Sequence, residues 1–201
     1  MLPHFEYERA SSLTPVCGVD EAGRGPWAGP VVAASVIFHN EAAIPAGIND
    51  SKALSKTKRE ALADAILQHA ATGIGIATVE EIDALNILQA SMLAMQRAIA
   101  ALPTPPAFAL IDGNKLPMLT IPARAIVQGD AISVSIAAAS IVAKVTRDRM
   151  MAELAKHHPQ YGFEKHAGYG TKLHRDALEM HGPCPAHRMS FAPLRKLQVA
   201  A

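Results

Sequence analysis

Short apolar runs bounded by turn residues alternate along this chain with longer stretches of helical period. Val16-Cys17-Gly18-Val19 reads as a buried strand ending at Asp20-Glu21, and Val31 to Phe38 as a second strand beyond a Gly-rich turn. Ser55 is placed to cap a helix from about Lys56 to Ala71, with Gly73 ending that helix and opening a strand that reaches Val79. Glu80 to Ala101 follows as helix, interrupted near Asn86; Ile87, Leu88, Met92, Met95 and Ile99 recur there at core-facing spacing. Phe108 to Ile111 is a strand ending at Asp112-Gly113, and Arg124 to Val127 another, ending near Gly129-Asp130. A long helix is predicted from Ser133 to His157, with shorter ones near Thr171 to His181 and Pro193 to Gln198. Pro103-Thr104-Pro105-Pro106 is too short to separate domains. The pattern predicts one α/β domain over residues 1–201, a mixed central β-sheet flanked by helices, with a C-terminal helical segment from about residue 158.

Composition narrows the function classes. Half the residues are hydrophobic and 18% are charged, which excludes a disordered chain. No apolar run is long enough to span a membrane, and the N-terminus lacks the basic-then-apolar order of a secretory signal, so a cytoplasmic location is expected. Two cysteines cannot make a disulfide scaffold. His181, Cys184 and His187 fall three residues apart in turn, but Gly182, Pro183 and Pro185 make a turn of them and the ligand pairs of a closed zinc site are missing, so no zinc is expected. The net charge of +1 hides an asymmetry: residues 144–201 carry ten Lys or Arg against five Asp or Glu, and the remainder is net acidic. That division suits either a metal site beside a phosphate-binding surface or an ordinary solvated exterior.

Three predicted strands end in carboxylates: Asp20 with Glu21, Asp112, and Asp130. Each alone could simply end a strand or start a turn. Gathered at one sheet edge they would repel, by ~4 kcal/mol for a pair 4 Å apart at an effective dielectric of 20. A divalent cation removes that penalty, and an all-oxygen site suits magnesium or manganese. In Gly23-Arg24-Gly25-Pro26-Trp27-Ala28-Gly29, glycines flank Arg24 and let backbone N–H groups approach a ligand. No Gly-Lys-Ser/Thr ending follows, and the third glycine comes one position late for a dinucleotide fingerprint, so a nucleotide-dependent phosphotransferase is disfavoured. Contact with a nucleic-acid sugar or phosphate fits better. On the long helix Ser133, Ser140, Lys144, Asp148 and Met151 share one side; Lys144 and Asp148 either pair with each other or border the acidic site, with Asp148 behind it. Tyr169, between Gly168 and Gly170, is either a half-buried loop aromatic or a ring presented for stacking.

These pieces occur in a familiar order. Val19-Asp20-Glu21-Ala22-Gly23-Arg24-Gly25-Pro26 with Ala28 to Ala34, Asn49-Asp50-Ser51-Lys52, Leu85-Asn86-Ile87-Leu88, Ile111-Asp112-Gly113-Asn114, Gly129-Asp130, Ala137 to Asp148, Pro159 to Phe163, Gly168-Tyr169-Gly170-Thr171 and His187-Arg188-Met189-Ser190-Phe191 resemble the motifs of the ribonuclease HII family. The resemblance runs from about residue 15 to 196. It implies a ribonuclease H-like fold and cleavage of the RNA strand of RNA–DNA hybrids, or 5′ of a single ribonucleotide in duplex DNA. It also implies four catalytic, metal-binding carboxylates, Asp20, Glu21, Asp112 and Asp130, holding two magnesium ions with manganese as a substitute. Gly23, Arg24 and Gly25 would read the 2′-hydroxyl and Tyr169 would stack at the DNA–RNA junction, with Lys52, Ser140 and Lys144 near the nucleic-acid backbone and the C-terminal segment completing the surface. An intact carboxylate set argues against a non-catalytic hybrid binder. Trp27 stands where leucine is usual, Ala167 where lysine is frequent, and Ile132 where a polar residue often sits. With no heptad seam, a monomer is the default. A replication-clamp contact, which a short tail motif would carry, is not legible.

Overall fold

Five strands form one mixed sheet in the order β3-β2-β1-β4-β5: β1 (Val16–Ala22), β2 (Val31–Ile37), β3 (Ala71–Ala77), β4 (Phe108–Asp112) and β5 (Ala123–Ile126). β2 runs antiparallel to both β1 and β3, whereas β4 runs parallel to both β1 and β5. The computed structural model describes residues 2–199, with side chains to residue 196; residues 1, 200 and 201 of the expected 1–201 span lie outside the described residues. The helices are α1 (Glu6–Arg9), α2 (Lys56–His69), α3 (Val79–Leu85), α4 (Ile87–Ala100), α5 (Val134–His157), α6 (Phe163–His166), α7 (Lys172–His181) and α8 (Ala192–Val199). No helix among the described residues is long and apolar enough to cross a membrane.

The two faces of the sheet follow strand alternation. Val31, Ala33 and Ile37 of β2 pack with Cys17 and Val19 against Ala90, Ala94, Met95 and Ala98 of α4. Ala34 and Val36 point the other way, into a core built with α2 and the Ala-rich first half of α5. A third apolar cluster, around Tyr161, Phe163, Leu178 and Leu194, holds the C-terminal helices to Ala28 and Met151.

The predicted elements stand with corrections at their ends. β1 continues through Asp20 and Glu21 to Ala22, pairing Asp20 with Ala34 and Glu21 with Ala33, so both acids lie within the strand rather than after it. Gly73 does not end a helix: α2 stops at His69, and Gly73 sits inside β3 opposite Ser35. A Cβ there would meet the Ala98 carbonyl oxygen at 2.1 Å, so the missing side chain lets α4 lie directly on the strand. The break at Asn86 is present. With φ of 73°, Asn86 donates its N–H to Ile82 O, closing α3, while its side chain accepts from Leu88 N and Gln89 N, opening α4.

Candidate active site

Because β1 and β4 are parallel in the register Val19 to Ile111, Asp20 and Asp112 emerge as neighbours at the carboxyl ends of the two central strands. Ligand sites in α/β sheets gather at such ends. The Asp112 side chain accepts from Gly129 N at 2.7 Å, which ties β4 to the 3-10 turn Gly129–Ala131 carrying Asp130. The Asp20 carboxylate accepts from Glu21 N at 2.7 Å. All four acids line one cleft of about 400 Å³ with Gly23, Arg24, Gly25, Ser51, Lys52, Ser140, Lys144, Arg147 and Tyr169.

The electrostatics of the cleft are dominated by crowded negative charge. Asp20 and Asp130 are only 6% and 9% exposed. Burial, with the charges of Glu21 and Asp112 added, holds Asp20 well above the usual carboxylate range. Burial also raises Glu21, against the pull of Arg24, whose guanidinium approaches to 3.4 Å. Burial and Asp112 raise Asp130. Burial works to lower the Lys52 ammonium, yet Asp130, 3.9 Å away, and its acidic neighbours together hold it higher than normal. Among the described residues, no three acidic, histidine or cysteine side chains stand close enough to hold a metal ion as they are. Four like charges on the walls of one cleft gain by standing apart until a cation screens them.

The long-helix stripe divides. Ser140 and Lys144 line the cleft, and the Ser140 hydroxyl lies 3.4 Å from Ser51 N as its acceptor. Asp148 does not line it: its carboxylate pairs with Lys144 Nζ at 2.6 Å, so the spacing of four makes a pair that also fixes the lysine. Met151 is buried under Gly29. Tyr169 is 49% exposed at the mouth, with its ring edge beside Gly25.

Two arginines outside the predicted site residues hold the Gly-rich segment. Arg188 is fully buried and donates to the carbonyls of Gly23, Arg24, Pro26, Gly29 and Pro30 at 2.6–3.2 Å. Arg147, also buried, donates to Ala28, Pro30 and Ala167. Gly23 has φ of 99°, and a Cβ on it would meet Arg147 Nε at 2.0 Å, so the turn admits glycine alone. The one readable signal was Arg147 following directly on the Ala-, Ile- and Val-rich run of the long helix. Next door, Ala167 occupies the left-handed region, φ 49° and ψ 34°. Ala167→Gly is therefore expected to raise stability by ~0.5–1 kcal/mol, measured by urea unfolding; a loss of stability would mean the left-handed strain is absent.

Known proteins share this chain's fold and much of its sequence. The ribonuclease HII family profile matches residues 17–194. The chain is 60% identical over 195 residues to the ribonuclease HII of Burkholderia pseudomallei, covering 96% of this chain and 90% of the relative. It is 56% identical over 197 residues to that of Rhizorhabdus wittichii, covering 98% and 96%. Among solved structures, ribonuclease H2 from Pyrococcus horikoshii superposes with a TM-score of 0.77 at 26% identity, covering 92% of this chain and 97% of that one. The ribonuclease HII of a PCNA complex from Archaeoglobus fulgidus gives 0.71 at 26% identity, covering 89% and 95%. A ribonuclease H-like sheet with acids at its central carboxyl ends, matched along nearly its whole length, places this chain in the ribonuclease HII family of RNA-cleaving hydrolases.

Proposed function

We propose that the cleft cuts the RNA strand of RNA–DNA hybrids and the 5′ side of single ribonucleotides embedded in duplex DNA, leaving 3′-hydroxyl and 5′-phosphate ends. The observation that carries this reading is the shared cleft, in which four carboxylates face the Gly23-Arg24-Gly25 segment and Tyr169. The donor set suits a hard divalent cation: the cleft lining offers carboxylate and hydroxyl oxygens and no sulfur or imidazole. Asp20, Glu21, Asp112 and Asp130 would hold two magnesium ions, with manganese as the alternative. Two such ions, when bound, activate a water and stabilise the departing sugar oxygen.

The chain's own groups do the recognition. Gly23 to Gly25, held from behind by Arg188 and Arg147, present backbone to the 2′-hydroxyl, the group that separates RNA from DNA. Tyr169 offers an exposed ring face to the sugar or base at the junction. Lys52, Ser140 and Lys144 lie along the phosphate path, and Asp148 orients Lys144. The C-terminal helices supply the wall that carries Tyr169.

The test uses a labelled DNA duplex containing one ribonucleotide, with an all-DNA duplex and an EDTA control. The expected result is one cut, 5′ of the ribonucleotide, dependent on magnesium or manganese and absent from the all-DNA duplex. Cutting of the all-DNA duplex, or undiminished cutting in EDTA, would overturn the reading.

A further inference from the structure

Three histidines outside the cleft surround the segment that presents Tyr169. His174 and His187 are buried, and their Nε2 atoms lie 3.0 Å apart. His174 Nδ1 lies 3.0 Å from the Tyr169 carbonyl oxygen. His187 Nδ1 lies 2.9 Å from Cys184 N and 3.2 Å from Cys184 O, placed to accept from the first or donate to the second. These contacts fix the protons by elimination. A carbonyl only accepts, so His174 carries its proton on Nδ1 and leaves Nε2 as an acceptor. His187 must then donate from Nε2, which leaves its Nδ1 free to accept from Cys184 N. The result is a one-way chain of hydrogen bonds from the Cys184 amide through both rings to the Tyr169 carbonyl.

Neighbouring contacts close the same segment from other sides. His166, its ring stacked on His174 at 4.6 Å, accepts from Gly168 N at Nδ1 and donates from Nε2 to Tyr161 O. The Tyr169 carbonyl also accepts from Thr171 N at 2.8 Å, and Tyr169 N donates to His166 O. Trp27 N donates to Gly168 O, and the Trp27 ring lies so close over Gly170 that a Cβ there would come within 2.2 Å of it. The rings of Tyr161 and Phe163 pack against both His174 and His187. Burial, with His174 beside it, lowers His187 to about 4, and burial lowers His174 too, so the pair holds two protons rather than three at neutral pH.

We propose that the His187–His174 pair is a positioning device for Tyr169, with His174 setting the carbonyl, and through it the ring, against the substrate. The proposal rests on Tyr169 being the substrate-facing ring. His174 touches no reacting atom; it acts through Tyr169.

The test combines tautomer assignment with a double-mutant cycle on the single-ribonucleotide duplex. Nitrogen-15 NMR of histidine-labelled protein should find His174 protonated at Nδ1 and His187 at Nε2; the opposite tautomers overturn the proposal. His174→Ala should raise KM about tenfold, as expected for one lost neutral hydrogen bond, with kcat little changed. His174→Asn, whose amide can still donate to the Tyr169 carbonyl, should recover most of that loss and guards against an unfolded alanine variant. In a Tyr169→Ala background His174→Asn and His174→Ala should be indistinguishable; a persisting difference there overturns the proposal. If the wild-type protein cuts with ribonucleotide specificity and Tyr169→Ala does too without loss, the proposal falls while the activity stands. If the wild type does not cut, amide exchange decides: faster exchange at Gly168 to Gly170 in His174→Ala supports the positioning role, and unchanged exchange overturns it.

Discussion

Arg188→Ala is expected to lower stability by at least ~4 kcal/mol and to shift Tm down by roughly 10 °C or more for a chain of this size. The guanidinium gathers five carbonyl oxygens, from Gly23, Arg24, Pro26, Gly29 and Pro30, into one turn, sharing only that of Pro30 with Arg147. Burial, with Arg147 close by, lowers it to about 9, so it remains a cation at neutral pH, and the convergent carbonyl dipoles stabilise its charge. Removing it leaves buried acceptors unpaired, each worth ~1–3 kcal/mol where water cannot enter, and opens a cavity beneath Phe191, whose ring the guanidinium faces at 5.2 Å. Lysine has three donors on a point charge and cannot serve five acceptors in a fork, so Arg188→Lys should fall between the two. Thermal unfolding checks the order wild type, lysine, alanine. A Tm for Arg188→Ala within 2 °C of wild type would remove the clamp from the account of the Gly-rich turn.

That clamp marks the boundary of what the residues announced. The acids were legible because each sits where an apolar run stops, and a break in hydrophobic pattern is local information. Their convergence was not local: it depends on β1 and β4 lying parallel in the register that puts Asp20 beside Asp112, which only the sheet order supplies. Asn86 was readable as a helix break because one residue both ends α3 and caps α4. Gly73 misled, since glycine after a helical stretch usually marks a C-cap, whereas here the need was room for α4. The spacing of His181, Cys184 and His187 drew attention to a local trio, yet Cys184 meets His187 through its backbone, and the side-chain partner is His174, thirteen residues away across a turn. Arg147 and Arg188 read as part of a basic C-terminal third, because a sequence reports charge and not burial. Both turned inward, where their charge organises backbone instead of meeting phosphate.

Asp20→Asn is expected to stop cleavage and to stabilise the metal-free fold at once. Asparagine keeps the shape of Asp20 and the Oδ1 that accepts from Glu21 N, but removes a charge that burial, Glu21, Asp112 and Asp130 all disfavour. An aspartate whose folded pKa is raised contributes most to stability below the unfolded value of about 3.9, and that contribution is lost as pH rises through the folded value. At pH 7 in EDTA the wild type has lost it and Asp20→Asn has nothing to lose, so the variant should melt higher, by ~2–4 °C per kcal/mol relieved. Toward pH 4 the gap should close. Magnesium is expected to reverse the ranking, because under the proposed function the native carboxylates would hold the cation, which would stabilise the wild type in proportion to its occupancy and the variant less. Even partners that only orient a metal ligand are worth 10–100-fold in affinity or activity, so losing a ligand itself should lower cleavage by more than about 10²-fold. Thermal melts at pH 4 and pH 7, with EDTA and with magnesium, read all of this together. A variant less stable than wild type in EDTA, or equal stabilisation of both proteins by magnesium, would mean that the repulsion at the strand ends is not what the cation relieves.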